Sequence, residues 1–168
     1  MSQLVRVLRA AGVLSALDEQ LARALHGLVA QPAETSSQAD CVLLAIALLS
    51  RQLAAGHVCL ALDTLVNAET ALGAEHAALV ALPWPEPQTW LPALRGSLLC
   101  GSDTHGTTPL VLDEQARLYL RRHYNSERQL ARLLHARASQ RVACDPARLA
   151  ARLRHYFGDA PVDLQRSA

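Results

Sequence analysis

The run Cys41 to Leu49, CVLLAIALL, is the longest uninterrupted apolar stretch of the chain and constrains its fold more than any other segment. It falls well short of the roughly 20 residues that cross a bilayer as a helix. The helical register continues to about Ala54, and Asp40 is placed to cap the first turn. A helix that is apolar nearly all round has no face to give to water, so it must be buried on most sides. Cys41 to Ala54 is therefore the expected core helix, and the rest of the chain has to wrap it.

The flanking segments supply the wrapping. Ser2 to Ala11 and Leu14 to Ala30 have helical spacing, stopped near Gly12 and before Pro32, and Gln31 to Gln38 is a polar loop. After Gly56, His57 to Leu62 alternates enough for one strand, and Asp63 or Thr64 can cap a helix to about Leu72. Pro83 to Pro87 breaks regular structure, and a short helix restarts at Thr89 through Leu94. Ser97 to Cys100, Leu110 to Leu112 and Arg117 to Leu120 have strand character, the last two joined as a hairpin across Asp113 to Ala116. Gly101 to Thr108 is a polar connection. A helix from about Asn125 to Gln140 follows, and Asp145-Pro146 opens a last helix to about Tyr156. The expected fold is mainly α with a small antiparallel β-sheet, an α+β single domain over residues 1–157. Gly158 to Ala168 loses the hydrophobic period and is expected to be a linker.

A chain of 168 residues can bury one core. The charges of MSQLVRVLRAAGVLSALDEQ come too early and too often for a signal-peptide core, which places the protein in the cytoplasm. Cys41, Cys59, Cys100 and Cys144 are scattered without a C-x-x-C pair and are expected to be free thiols used for packing. Every basic residue apart from histidine is Arg, so no lysine-dependent chemistry is open to the chain. The net charge of +1 hides a division. Arg117 to Arg154 holds ten Arg against Glu127 and Asp145, a local balance of +8, whereas residues 1–116 carry −6.

Few residues have the spacing of catalytic chemistry. Gly101 to Thr108 has the G-x4-G spacing of a phosphate loop, but Thr107 stands where the lysine is needed and Pro109 opens a strand instead of a helix. His57 and Cys59 sit two apart on an expected strand, half of a metal site with no second pair to complete it. Cys100 with His105, or Ser126 with His123, would pair a nucleophile with a base, yet neither has an orienting third group. His26, His76, His135 and His155 are unaccompanied. No catalytic, cofactor-binding or metal-binding residue is assigned, and an enzyme is the weakest reading of this chain alone.

The segment Arg117 to Leu134, RLYLRRHYNSERQLARLL, changes period from strand to helix at about Asn125 and carries most of the local charge. Its basic surface is open to three readings. It is an ordinary solvated face, a DNA-binding element neutralising phosphates with Tyr119, Tyr124 and Tyr156 as stacking faces, or a docking surface. Arg and Tyr are the residue types enriched at interface centres. On that reading the candidate partner-binding residues are Arg117, Arg121, Arg122, Tyr124, Arg128 and Arg132, with Trp84 presented between two prolines in PWPEP.

Three segments in order carry a family resemblance: ALLSRQLAAGHVCLALDTL at Ala47 to Leu65, WLPALRGSLLCG at Trp90 to Gly101, and PLVLDEQARLYLRRHYNSERQLARLL at Pro109 to Leu134. Together they resemble the N-terminal domain of RecD, the alpha subunit of exodeoxyribonuclease V, the RecBCD helicase-nuclease. The resemblance covers about Leu17 to Arg154. It implies a non-catalytic assembly domain that holds its subunit against a RecC-like subunit and, through the complex, against a RecB-like subunit and DNA. It also implies that the complete protein is an ATP-dependent helicase moving 5′ to 3′ in double-strand-break repair. ATP and Mg would then belong to motor domains that follow. This chain would be an excised domain or gene fragment, with no cofactor expected in it. The alternative is a DNA-binding module using the hairpin and the following basic helix.

Overall fold

A computed structural model of the chain describes residues 3–28, 35–73, 82–101, 106–140 and 145–158. It falls into two compact units, residues 1–129 and residues 130–168. The first unit holds α1 (Gln3–Ala10), α2 (Ala16–Gly27), α3 (Ser36–Ala54), β1 (Leu60–Ala61), a 3-10 turn (Leu62–Leu65), α4 (Ala68–Leu72), α5 (Pro87–Gly96), β2 (Cys100–Gly101), β3 (Leu110–Leu112) and β4 (Arg117–Leu120). Helix α6 (Arg121–Ala138) begins in the first unit and ends in the second, which also contains α7 (Pro146–Phe157).

The α+β class expected from the sequence is the one observed. Helix α3 lies at its centre, with every residue from Cys41 to Ser50 buried. Helices α1, α2 and α5 and strand β1 pack around it. The helix begins earlier than its apolar run because T-S-S-Q forms a capping box. Thr35 Oγ1 accepts the Gln38 amide at 3.3 Å, and Gln38 Oε1 accepts the Thr35 amide at 3.1 Å. Thr35 thus does the capping expected of Asp40. Ser15 and Asp18 form the same device on α2, and it satisfies the buried Asp18 carboxylate. Arg51 at the end of α3 donates to the Ala71 and Leu72 carbonyls, closing the C-terminus of the short α4.

The four-stranded sheet has the order β1-β4-β3-β2. Leu110 pairs with Leu120 and Leu112 with Leu118, antiparallel and on one face. All four side chains join the core, while the Val111–Tyr119 pair turns to the other face. Strand β2 runs parallel to β3, with Cys100 opposite Leu110, so the sheet is mixed where antiparallel pairing was expected. The expected strand Ser97 to Cys100 is reduced to Cys100–Gly101, because Ser97 turns the chain with its carbonyl accepting the Cys100 amide at 3.1 Å.

Other differences have equally local causes. The strand expected from His57 begins only at Leu60. Gly56, at φ +91°, ends α3, and the His57 amide is spent on the Gln52 carbonyl at 3.0 Å. The helix expected up to Leu72 is broken in two, since Asn67 starts a fresh cap by accepting the Thr70 amide at 2.7 Å. Helix α6 starts at Arg121 instead of Asn125, directly from β4. Its first amide donates to the Pro109 carbonyl at 2.8 Å, so the neighbouring chain satisfies the group that a cap would otherwise serve.

In the second unit, Asp145 caps α7 by accepting the Ala147 amide at 2.9 Å, as expected. None of the described residues of α6 or α7 in this unit is buried. Apart from Gly158, the expected linker lies outside the described residues.

Two substitutions test this architecture. Leu118 is fully buried and faces both Leu60 and Leu112 across the sheet, so Leu118→Ala should cost about 2–5 kcal/mol in urea unfolding. A loss under about 1 kcal/mol would show that β4 is not seated in the core. Ala116 occupies the left-handed position of the three-residue hairpin loop at φ +56°. Ala116→Gly should therefore raise stability by about 0.5–1 kcal/mol in the same assay.

Candidate functional site

The outer face of the sheet gathers Arg117, Tyr124 and Arg128 of the expected partner-binding set through two periodicities. In β4, Arg117 and Tyr119 alternate with Leu118 and point away from the core. Because α6 follows without a loop, Tyr124 and Arg128 share a helix face one turn apart. Tyr124 returns over the strand, its ring 5.3 Å from that of Tyr119 in an edge-on contact at 68°. The Arg128 guanidinium sits 5.8 Å from the Tyr124 ring centre, and that of Arg117 lies 5.9 Å from Tyr119. Two cations thus flank a pair of tyrosines.

Asp113 at the start of the hairpin loop organises this face. Its Oδ1 accepts the Gln115 amide at 3.0 Å and the Arg117 amide at 2.9 Å. Its Oδ2 accepts Arg117 Nε at 2.8 Å and the Tyr119 hydroxyl at 3.4 Å. The Asp113 hydrogen bond raises the Arg117 pKa, keeping the guanidinium charged. Burial raises that of the Tyr119 phenol, which stays protonated. Sequence reasoning treated Asp113 only as part of a turn. An aspartate four residues before an arginine across a three-residue loop was the available signal.

The other candidates are placed differently. Arg121 is tied to the β2–β3 connection, its Nε donating to the Thr108 carbonyl at 3.0 Å and its Nη2 to Thr108 Oγ1 at 2.7 Å. Gly101 makes this possible, because a Cβ there would lie 2.5 Å from Thr108 Oγ1. Arg122 is exposed and donates from Nε to His123 Nε2 at 3.2 Å. Arg132 is exposed in the second unit. Trp84 is half-buried, with its indole 6.0 Å from that of Trp90 and its N–H donating to the Leu65 carbonyl at 3.1 Å. Tyr119 is buried, which leaves it no ring face to offer a base, whereas Tyr156 is 70% exposed.

Of the catalytic pairs weighed from the sequence, the described residues bear only on Ser126 with His123. Ser126 Oγ donates to the Arg122 carbonyl at 3.0 Å, turned onto its own helix. His57 and Cys59 precede β1 instead of sharing a strand. His105, the proposed base for Cys100, lies outside the described residues, as do Ser102 to Thr104 of the glycine-bounded loop. Among the described residues no group of three or more His, Cys, Asp and Glu side chains could hold a metal. No described helix is long and apolar enough to cross a membrane.

Comparison with known proteins bears on the first unit. The family described as RecBCD enzyme subunit RecD, N-terminal domain, matches residues 10–119, from the end of α1 into β4. The chain is 35% identical over 146 residues to the RecBCD enzyme subunit RecD of Mycobacterium tuberculosis, in strain CDC 1551 / Oshkosh and in strain H37Rv. That alignment covers 86% of this chain and 22% of each relative, so the chain spans about a fifth of their length. The three ordered segments, the α+β fold and the family match agree, and the chain belongs to the family of RecD N-terminal domains of the RecBCD enzyme.

Proposed function

We propose that this chain is a non-catalytic docking domain that binds a RecC-like subunit, and that the complete protein is an ATP-dependent 5′ to 3′ DNA helicase acting in double-strand-break repair. One observation carries the docking reading beyond family membership. Arg117, Tyr124 and Arg128 converge on Tyr119 and Asp113, Arg117 through hydrogen bonds and the other two through ring contacts. A side chain restrained in this way, as Arg117 is by Asp113, loses less entropy on association, which supports a specific protein contact over a loose charged surface.

DNA binding is the competing reading, and the net positive charge from Arg117 to Arg154 is its support. Engagement of Tyr119 inside the domain removes one of the three stacking faces it would use. Duplex and single-stranded DNA titrations separate the two. Binding in the micromolar range at low salt that falls steeply as salt rises would favour DNA over a protein partner.

The nucleophile reading is disfavoured by electrostatics. Burial pushes the Cys100 thiol up to about 11 despite the nearby Arg121 charge, leaving little thiolate near neutral pH. In this reading ATP and Mg act only in motor domains, and the chain binds neither.

Two measurements follow. Arg128→Glu alters an exposed guanidinium beside Tyr124 and should weaken co-purification with the RecC-like subunit by about tenfold or more. Unchanged binding would remove this face as the docking surface. Cys100 contributes a pH dependence of known sign. Below its ordinary value of 9.0 the thiol is protonated both folded and unfolded, and above it the unfolded chain ionises first. Its contribution to stability should thus fall between pH 9 and about 11, and Cys100→Ala should flatten that part of a urea-stability profile.

A further inference from the structure

Among the described residues, helix α7 keeps its apolar side uncovered. Leu149, Leu153, Tyr156 and Phe157 recur at i, i+4, i+7 and i+8, the spacing by which a helix turns one face to a core. None of them is buried, and Leu149 and Tyr156 are 48% and 70% exposed. The part of α6 in the same unit carries a shorter stripe. Leu130, Leu133 and Leu134 lie on one side of it, 57%, 57% and 59% exposed, so neither helix shields the other's leucines. A helix of 12 residues is marginal in water without such cover. Lone exposed leucines are ordinary, but two open stripes on helices without a buried residue mark an interaction surface.

The cations beside these stripes are open as well. Arg132 and Arg137 on α6 and Arg148, Arg152 and Arg154 on α7 are exposed, and no described residue forms an ion pair or a side-chain hydrogen bond with any of them. No acidic residue stands on α7, or on α6 beyond Glu127. Whatever covers the leucines therefore meets a cationic margin, which suits an apolar patch edged by Asp or Glu.

The origin of that patch follows from the extent of the similarity. The family match stops at residue 119, in β4. The alignment with the Mycobacterium tuberculosis subunits takes in 86% of the 168 residues, about 144, and so includes all of α6 wherever it starts. Helix α6 is thus shared with the complete subunits although it lies past the N-terminal domain as the family defines it. The matched stretch is 22% of each relative, and an N-terminal domain leaves most of the remainder on its C-terminal side, the side of α6 and α7. Size then decides against a separate subunit as the cover. A stable interface between free partners takes about 800 Å² from each, roughly 20–30 residues a side, and these two stripes fall well short of that. A tethered neighbour is present at an effective concentration of millimolar order and needs far less area.

We propose that the leucine stripes of α6 and α7 seat the polypeptide that follows this domain within RecD subunits, which covers them with an apolar patch edged by carboxylates. The surface is internal to the subunit and separate from the docking face on the sheet. It rests on family membership and not on the docking reading. Arg132, expected from the sequence to bind a partner, then serves the subunit's own chain.

The test compares amide hydrogen exchange in this 168-residue chain and in a polypeptide where it is followed by the rest of a RecD subunit. Amides of α7 should exchange within about tenfold of the unfolded rate in the short form and about a hundredfold more slowly in the long one, with those of α3 protected alike in both. In the long form, Leu149→Glu combined with Leu153→Glu should return α7 to fast exchange and leave α3 unchanged, whereas Leu149→Met should keep the protection. Equal exchange of α7 in the two forms overturns the proposal. So does protection in the short form that fades on dilution, which assigns the stripes to a second copy, or protection that appears only when the RecC-like subunit is added. Loss of binding to that subunit with α7 still protected in the long form removes the docking reading and leaves this one standing.

Discussion

Burial of α3 is the constraint on which the first unit depends. Ten consecutive residues, Cys41 to Ser50, are removed from water on all sides, and no single neighbouring element could cover them. Helices α1, α2 and α5 and strand β1 each take a sector, and the leucines of β3 and β4 extend the same core beneath the sheet. Apolar area taken from water stabilises by about 25 cal/mol per Å², so a helix without a polar face makes the largest demand on the chain around it. The Ser15–Asp18 box on α2 and the Arg51 contacts that close α4 then satisfy polar groups next to this core.

The outer face of the sheet is a consequence of the same arrangement. Once Leu118 and Leu120 are committed to the core, the pleat forces Arg117 and Tyr119 outward. The direct passage from β4 into α6 then fixes where Tyr124 and Arg128 fall. Asp113 ties the hairpin loop to that face by accepting from the Gln115 and Arg117 amides, the Arg117 guanidinium and the Tyr119 hydroxyl. Loss of the Asp113 carboxylate would therefore disturb the turn and the cation–tyrosine cluster together.

Much of this was legible in the residues. The core helix, the β3–β4 hairpin and the Asp145 cap of α7 follow from apolar runs, alternation and capping chemistry. Element boundaries were less legible where backbone groups found partners far along the chain. Arg121 begins α6 because the Pro109 carbonyl meets its amide, a contact between residues twelve apart that no local pattern announces. The expected binding set was legible as a composition of Arg and Tyr. It was not legible that Arg121 is tied to Thr108, that Tyr119 is enclosed, or that the Trp84 N–H is used inside the domain.

The sequence by itself determined the α+β class, the buried character of Cys41 to Leu49, the family and the concentration of positive charge after Arg117. These are local or cumulative properties, set by periodicity and residue chemistry. Only the tertiary structure decided the parallel pairing of β2 with β3, the cluster around Tyr119 and Asp113, and which side chains of α2 are buried. A strand of two residues carries no directional signal. Whether a leucine on an amphipathic helix lies inward or faces water depends on how closely that helix approaches its neighbour, and on α2 Ala22 and a satisfied Asp18 are buried, Leu21 and Leu25 pack partly against the core, and Leu17 is left exposed.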